Sequence, residues 1–291
     1  MHPDLHHIEQ HQSAALARLR RAASRGRLPH ALILASPGNV GETELAGLIA
    51  RYLLCAHPTA PLAPCDECPA CRMVFADTHP ELHMVRPKGL LRAIKTDDMF
   101  DLIQALQQTA LSGGAKVALV FQAETLRKES ANRFLKTLEE PTPDTYFVLV
   151  TTRIERLLPT IRSRCQTIRL QPLSREAMRQ RAMAELHLSG DSLDLVAAIA
   201  RGRWNRAELL APRLDEYRTD LREIAATLAR RDDAAPAAVS FGTRKARALK
   251  ALREEFDARC KASLAAKAKE LADIEPAVRR DVLDALEEEL K

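Results

Sequence analysis

Four of the six cysteines, Cys55, Cys65, Cys68 and Cys71, crowd into one stretch with the spacing C-x9-C-x2-C-x2-C. Four thiolates so spaced suit a tetrahedral zinc ion with bonds of about 2.3 Å. The knuckle Cys65-Asp66-Glu67-Cys68-Pro69-Ala70-Cys71 is too tight for its three cysteines to find separate apolar sites. With all four positions filled by protein no place stays open for water or substrate, so the ion would be structural. Two other uses of these residues stay open: reduced cysteines without metal, and a ligand set in which His57 replaces one thiolate. Disulfides are not the expected use in a chain that shows no export signal.

A second candidate is a loop for phosphate. Ser36-Pro37-Gly38-Asn39-Val40-Gly41-Glu42-Thr43 can be laid against the pattern G-x-x-x-x-G-K-[ST]. Gly41 and Thr43 fit, but Ser36 stands at the first glycine and Glu42 at the lysine that normally sits against the β- and γ-phosphates. A carboxylate there turns attraction into repulsion, each about 4 kcal/mol at 4 Å and an effective dielectric of 20. A further run, Lys116 to Phe121, ends in Phe121-Gln122 where an active enzyme of this kind carries Asp-Glu for magnesium and for orienting water. Spacing alone leaves two readings: a nucleotide site that has lost its parts, with Gly38, Gly41, Glu42 and Thr43 as its remnant, or a strand and helix that never formed one.

Other residues read as structural. No Ser/His/Asp or Cys/His nucleophile arrangement stands out, and His79-Pro80 reads as a turn before a strand. Arg18, Arg20, Arg21, Arg25 and Arg27 form a basic run whose default reading is a solvated helix face. Met73, Phe75, Met99 and Phe100 read as core. On spacing alone, Arg162, Arg164 and Arg169 are a basic surface turn.

The elements that must position these residues alternate. Gln12 to Ser24 has helical spacing, His30 to Ala35 reads as a buried strand, and Thr43 to Leu54 as a helix. Leu82–Val85 is a candidate strand and Thr96 to Ala110 a helix capped by Thr96; Gly113-Gly114 turns into the strand Lys116 to Phe121. A helix at Ser130 to Glu140 stops before Pro141, and strands follow at Tyr146 to Val150 and Cys165 to Leu170. Strands alternating with helices imply a largely parallel α/β sheet covered on both faces. From Pro172 onward the pattern is helical, with a loop at Asp232 to Pro236.

Composition bounds the rest. The 291 residues, 46% hydrophobic and 29% charged, describe a folded, core-forming chain of two or three domains rather than a disordered or fibrous one. A formal charge of +5 permits nucleic-acid contact without showing it, and 4% aromatics supply no platform for stacking on single strands. No apolar run is long enough to span a bilayer, so the chain is expected to be cytoplasmic, with no membrane partner.

The run Asn132-Arg133-Phe134-Leu135-Lys136-Thr137-Leu138-Glu139-Glu140-Pro141 narrows the choice. With Val150-Thr151-Thr152 and Ser163-Arg164-Cys165 behind it, the chain resembles the bacterial clamp-loader subunits of DNA polymerase III over at least residues 29–171. The failing phosphate loop, Arg51-Tyr52-Leu53-Leu54-Cys55 and Thr78-His79-Pro80 resemble the delta-prime type rather than the ATP-hydrolysing gamma/tau type. The resemblance implies an AAA+ core over 1–171 with a zinc module at 55–71, a helical lid over 172–207 and a helical collar over 208–291. It implies no ATP bound by this chain, and gamma/tau and delta subunits as partners. It implies a role in loading the sliding clamp onto primed DNA, and for Arg164 an arginine finger acting on a neighbour's nucleotide. Arg206 lies one residue off the position of the family's nucleotide-sensing arginine and takes no such role. DNA-directed DNA polymerase activity, a nucleotidyl transfer, would belong to the whole complex. The rival readings are an active ATPase of the clamp-loader type and a zinc-containing DNA-binding protein that acts alone.

Overall fold

The computed structural model describes residues 5–87, 94–108, 114–215 and 219. The chain divides into two compact units, Met1–Pro212 and Arg213–Lys291; the collar expected over 208–291 lies almost wholly outside the described residues, as does the loop at Asp232 to Pro236. In the first unit, helices α1 (Leu5–His11) and α2 (Ser13–Ser24) precede β1 (Ala31–Ala35), α3 (Glu42–Leu54) and α4 (Pro69–Phe75). Then come β2 (Leu82–Val85), α5 (Thr96–Gln107), β3 (Lys116–Val120), α6 (Lys128–Glu139), β4 (Thr145–Thr151), α7 (Pro159–Arg164) and β5 (Gln166–Arg169). Three helices follow the sheet: α8 (Arg175–Glu185), α9 (Gly190–Ala200) and α10 (Trp204–Leu210).

The strands form one sheet in the order β2-β3-β4-β1-β5, and every neighbouring pair is parallel. Side chains alternate between its two faces. Ile33, Val120, Phe147 and Leu149 meet Met99, Leu102, Phe134, Leu138 and Ile161 from α5, α6 and α7 in one apolar cluster. The Phe134 and Phe147 rings meet edge to face with centroids 5.4 Å apart. The opposite face, with Leu32, Leu34, Leu119 and Val148 buried, receives α3. This is the parallel α/β sheet with helices on both faces that the alternation implies.

Several expectations shift by a residue or two, and some fail. The helix expected from Gln12 to Ser24 is α2, which starts one residue later; α1 before it was not expected, and the buried Gln12 amide between the two bonds away from both. Thr96 is the first helical residue and Lys95 the flanking one, with no side-chain cap. Helix α4 lies inside the cysteine-rich stretch. Met99 is core, but Met73 and Phe100 are exposed, and Phe75 carries a guanidinium on its ring. His79 makes the turn before β2, its Nδ1 accepting from Glu81 N–H at 3.1 Å. In the basic run, Arg20 pairs with Glu9 and Arg18 donates to the Thr167 carbonyl.

Candidate functional site

A cleft of about 690 Å³ opens at the carboxyl ends of the strands, between the loop after β1 and the segments that follow β2, β3 and β4. In open parallel sheets this is where ligands bind. Gly38, Glu42 and Thr43, Phe121 and Gln122, Thr151 and Thr152 all line it, so the residues singled out along the sequence do converge. Gly41 is in the loop as well, at the amino end of α3 with φ 109°.

Glu42 does more than replace a cation. Its carboxylate turns back over the loop and accepts the backbone N–H of Asn39 at 2.6 Å and of Val40 at 2.7 Å. Backbone N–H groups converging at a helix amino terminus form an anion site. Here the anion belongs to the chain itself. Ser36, at the first glycine position, accepts from Gly38 N–H at 2.9 Å and tightens the same turn. A second carboxylate, Glu124, accepts from the hydroxyls of Thr151 and Thr152 at 2.6 and 2.7 Å. Phe121 is buried, and the Arg86 guanidinium lies 3.9 Å from its ring centroid, so a cation stands beside the place where an active phosphate-loop enzyme carries an acid for magnesium.

Helices α8 and α10 close on the loop. Asn205 donates its backbone N–H to the Gly38 carbonyl at 3.4 Å, and Arg181 donates to the Asn39 carbonyl at 2.9 Å while lying over the Trp204 ring. Gly38 has φ +117°, and a Cβ there would fall 2.5 Å from the Asn205 amide. Arg206 is exposed and outside the cleft lining. Asn205 and Glu124 escaped sequence reasoning: nothing in their local pattern marks them, and only the chain's return to the loop shows what they do.

The cysteine cluster is built from α3, which ends one residue before Cys55, and α4, which begins one residue after Cys68. The four sulfurs lie within 4.8 Å of one another, with Cys55 and Cys65 at 3.5 Å. A tetrahedron with bonds of about 2.3 Å has sulfur–sulfur edges of about 3.8 Å, so the donor set fits such an ion. Cys65 N–H donates to Cys55 Sγ, Cys68 N–H to Cys65 Sγ and Cys71 N–H to Cys68 Sγ, at 3.3 to 3.4 Å. Such bonds favour thiolates. Burial would raise Cys68, but the N–H groups of Cys71 and Ala56 and the neighbouring thiols outweigh it and bring that thiol down to about 6. Burial holds Cys55 and Cys71 above the usual thiol range. His57 is exposed and is not among the clustered donors.

Arg164 lies outside the cleft lining, at the end of α7, where it pairs with Glu139 and donates to the Thr160 carbonyl at 3.1 Å. Cys165 beside it is buried, which pushes its thiol up to about 12 and makes it an anchor rather than a nucleophile.

Among the described residues, no helix is long and apolar enough to cross a membrane. The family model for DNA polymerase III, delta subunit, matches residues 2–174. The chain is similar to the DNA polymerase III subunit delta' of Pseudomonas aeruginosa, 42% identical over 141 residues that cover 48% of this chain and 43% of that protein. To the delta' subunit of Escherichia coli it is 37% identical over 201 residues, 65% of this chain and 60% of that protein. The tau subunit of Escherichia coli is 32% identical over 196 residues, 66% of this chain and 30% of that protein. The chain thus spans about half the length of the delta' relatives it matches. Among solved structures, a gamma-subunit-related protein of Thermotoga maritima aligns with TM-score 0.43 at 18% identity, covering 72% of this chain and 62% of that one.

Proposed function

Because the chain belongs to the DNA polymerase III delta-subunit family, we propose that it is a non-catalytic clamp-loader subunit. It would act beside gamma/tau and delta, helping to load the sliding clamp onto primed DNA. In this reading residues 1–171 are the AAA+ core, 172–207 the lid and 208–291 the collar that joins subunits. Cys55, Cys65, Cys68 and Cys71 hold a structural zinc that staples an insertion of the core.

The observation that carries the reading is the Glu42 carboxylate seated on the loop's own N–H groups. A triphosphate would have to displace it, would find no lysine, and would meet Phe121-Gln122 where metal and water are positioned in active relatives. Calorimetry on the isolated chain is expected to show no micromolar ATP affinity, and Glu42→Lys is expected to restore no turnover, because Phe121 and Gln122 remain. Micromolar binding by the wild type would show that the loop still serves nucleotide.

Arg164 is the residue through which a subunit without ATP still contributes. A guanidinium is permanently charged and forked, so it can bind γ-phosphate oxygens across a subunit boundary and stabilise the charge of phosphoryl transfer. Its own-chain pair with Glu139 is about 40% exposed on both sides, worth roughly 0–1 kcal/mol. An arginine finger contributes about 10³–10⁵ in kcat at its site, so the ion pair does not hold Arg164 back. In a complex reconstituted with gamma/tau and delta, Arg164→Ala is expected to assemble normally yet lower the DNA- and clamp-stimulated ATPase by the share of one site among several. Arg164→Lys should recover little, since a point charge cannot copy the fork. Unchanged ATPase and clamp loading would leave only a structural ring member.

A further inference from the structure

Arg51 lies in the last turn of α3 and is 2% exposed. Its guanidinium is permanently charged, and a buried charge is tolerated only when opposite charge and acceptors surround it. One partner is in place: Nη1 lies 2.5 Å from Asp66 Oδ1. Asp66 follows Cys65 in the left-handed region, φ 60°, so the ion pair grips the turn that leads from Cys65 to Cys68. The guanidinium also covers the Phe75 ring on α4, 4.2 Å from its centroid, one turn beyond Cys71. Yet Nε and Nη2 are buried and have no hydrogen-bond partner among the described residues. Asp66, itself 40% exposed, is a partial counterweight.

We propose that Arg51 is the positioning and charge-balancing residue of the four-cysteine metal site: it holds the Cys65–Cys68 turn through Asp66 and offsets the negative charge of four thiolates on a dication. Zinc with four thiolates carries a net double negative charge, which this buried cation complements. Partners of this kind orient ligands and tune affinity without touching the metal.

The inference rests on reading the four cysteines as a zinc site, and one titration separates the two. Zinc and cobalt(II) are titrated into the full chain against a chromogenic chelator, for wild type, Arg51→Met and Arg51→Lys. Arg51→Met is expected to fold at saturating zinc and to give the tetrahedral cobalt spectrum of the wild type. Its zinc affinity should fall about 10–100-fold. Arg51→Lys, which keeps the charge and loses the fork, should fall less. The melting gap between Arg51→Met and wild type should narrow when both are chelated, whereas a packing role alone would shift melting equally with and without metal. Affinity within twofold of wild type, or a gap unchanged by chelation, overturns the proposal. If Arg51→Met does not fold, Arg51→Lys decides, and wild-type affinity in that variant overturns it. A wild-type chain that takes up no zinc overturns the metal site itself.

Discussion

Metal analysis of the purified chain is expected to return one zinc per molecule, and chelation to release amide protection over residues 55–75 while the five strands stay protected. The insertion has little core of its own: Leu62, Pro64, Cys71 and Val74 are the buried apolar side chains it contributes. Segments so poor in apolar burial fold on their metal, with apparent zinc-binding free energies of about 10–16 kcal/mol in small zinc domains. Here α3 anchors one end of the insertion within a packed sheet, so loss of the ion should unravel the insertion rather than the protein. Cys68→Ser removes one of four ligands and should abolish stoichiometric zinc under competition with a chelator. The sign of the pH dependence follows from Cys55 and Cys71, whose thiols burial holds above the usual range. Zinc must displace their protons, so it is held less well as pH falls. Well under one zinc per chain would dismiss the site.

The second large effect is expected from Gly202→Ala. Gly202 has φ +74°, and a Cβ there would lie 2.4 Å from the Leu173 carbonyl oxygen and 2.9 Å from its nitrogen. Those atoms are backbone, tied down because Leu173 N–H donates to the Gly202 carbonyl at 2.9 Å. Left-handed strain of about 1–2 kcal/mol and overpacking of about 1–3 kcal/mol add to roughly 2–5 kcal/mol. For a unit of this size that lowers the thermal midpoint by roughly 4 °C or more. Gly190→Ala is the control: φ is +54° but nothing lies within 4 Å of its Cβ, so only the backbone strain acts. Because Gly202 leads into α10, the variant should also loosen Asn205 from the loop, seen as faster exchange at the Asn205 amide. A melting point within a degree of wild type would show that the joint yields without strain.

Much of the frame was legible because the sheet is buried on both faces. Runs such as Ala31–Ala35 and residues 117–121 are short, continuous and apolar, and turn residues bound them. Helix α4 was not legible, since Pro69–Phe75 begins in the middle of a metal-ligand motif that reads as loop. Glu42 shows the limit most clearly. Its charge says that a phosphate is repelled, but only the fold says that its carboxylate already sits on two N–H groups. Likewise Arg51, read as part of a family stretch, acquires a role only once Asp66, in the left-handed region after Cys65, brings a carboxylate to it. Phe100 and Met73 misled for the ordinary reason that apolar residues also occur on surfaces.

The Gln12 side chain bears on how the molecule is made. Its amide donates to the Val40 and Gln171 carbonyls, at 3.1 and 2.9 Å, and accepts from Gln171 N–H at 2.8 Å. The partners Gln12 and Gln171 are 159 residues apart in the chain. During synthesis at about 5–20 residues per second, roughly 10–30 s pass between the appearance of the first and of the second. Until then the buried amide between α1 and α2 lacks two of its three hydrogen bonds, and closing so long a loop is slow. The helices on either side of Gln12 are therefore made well before Gln171 completes their seat, and their apolar face lacks that cover throughout the interval.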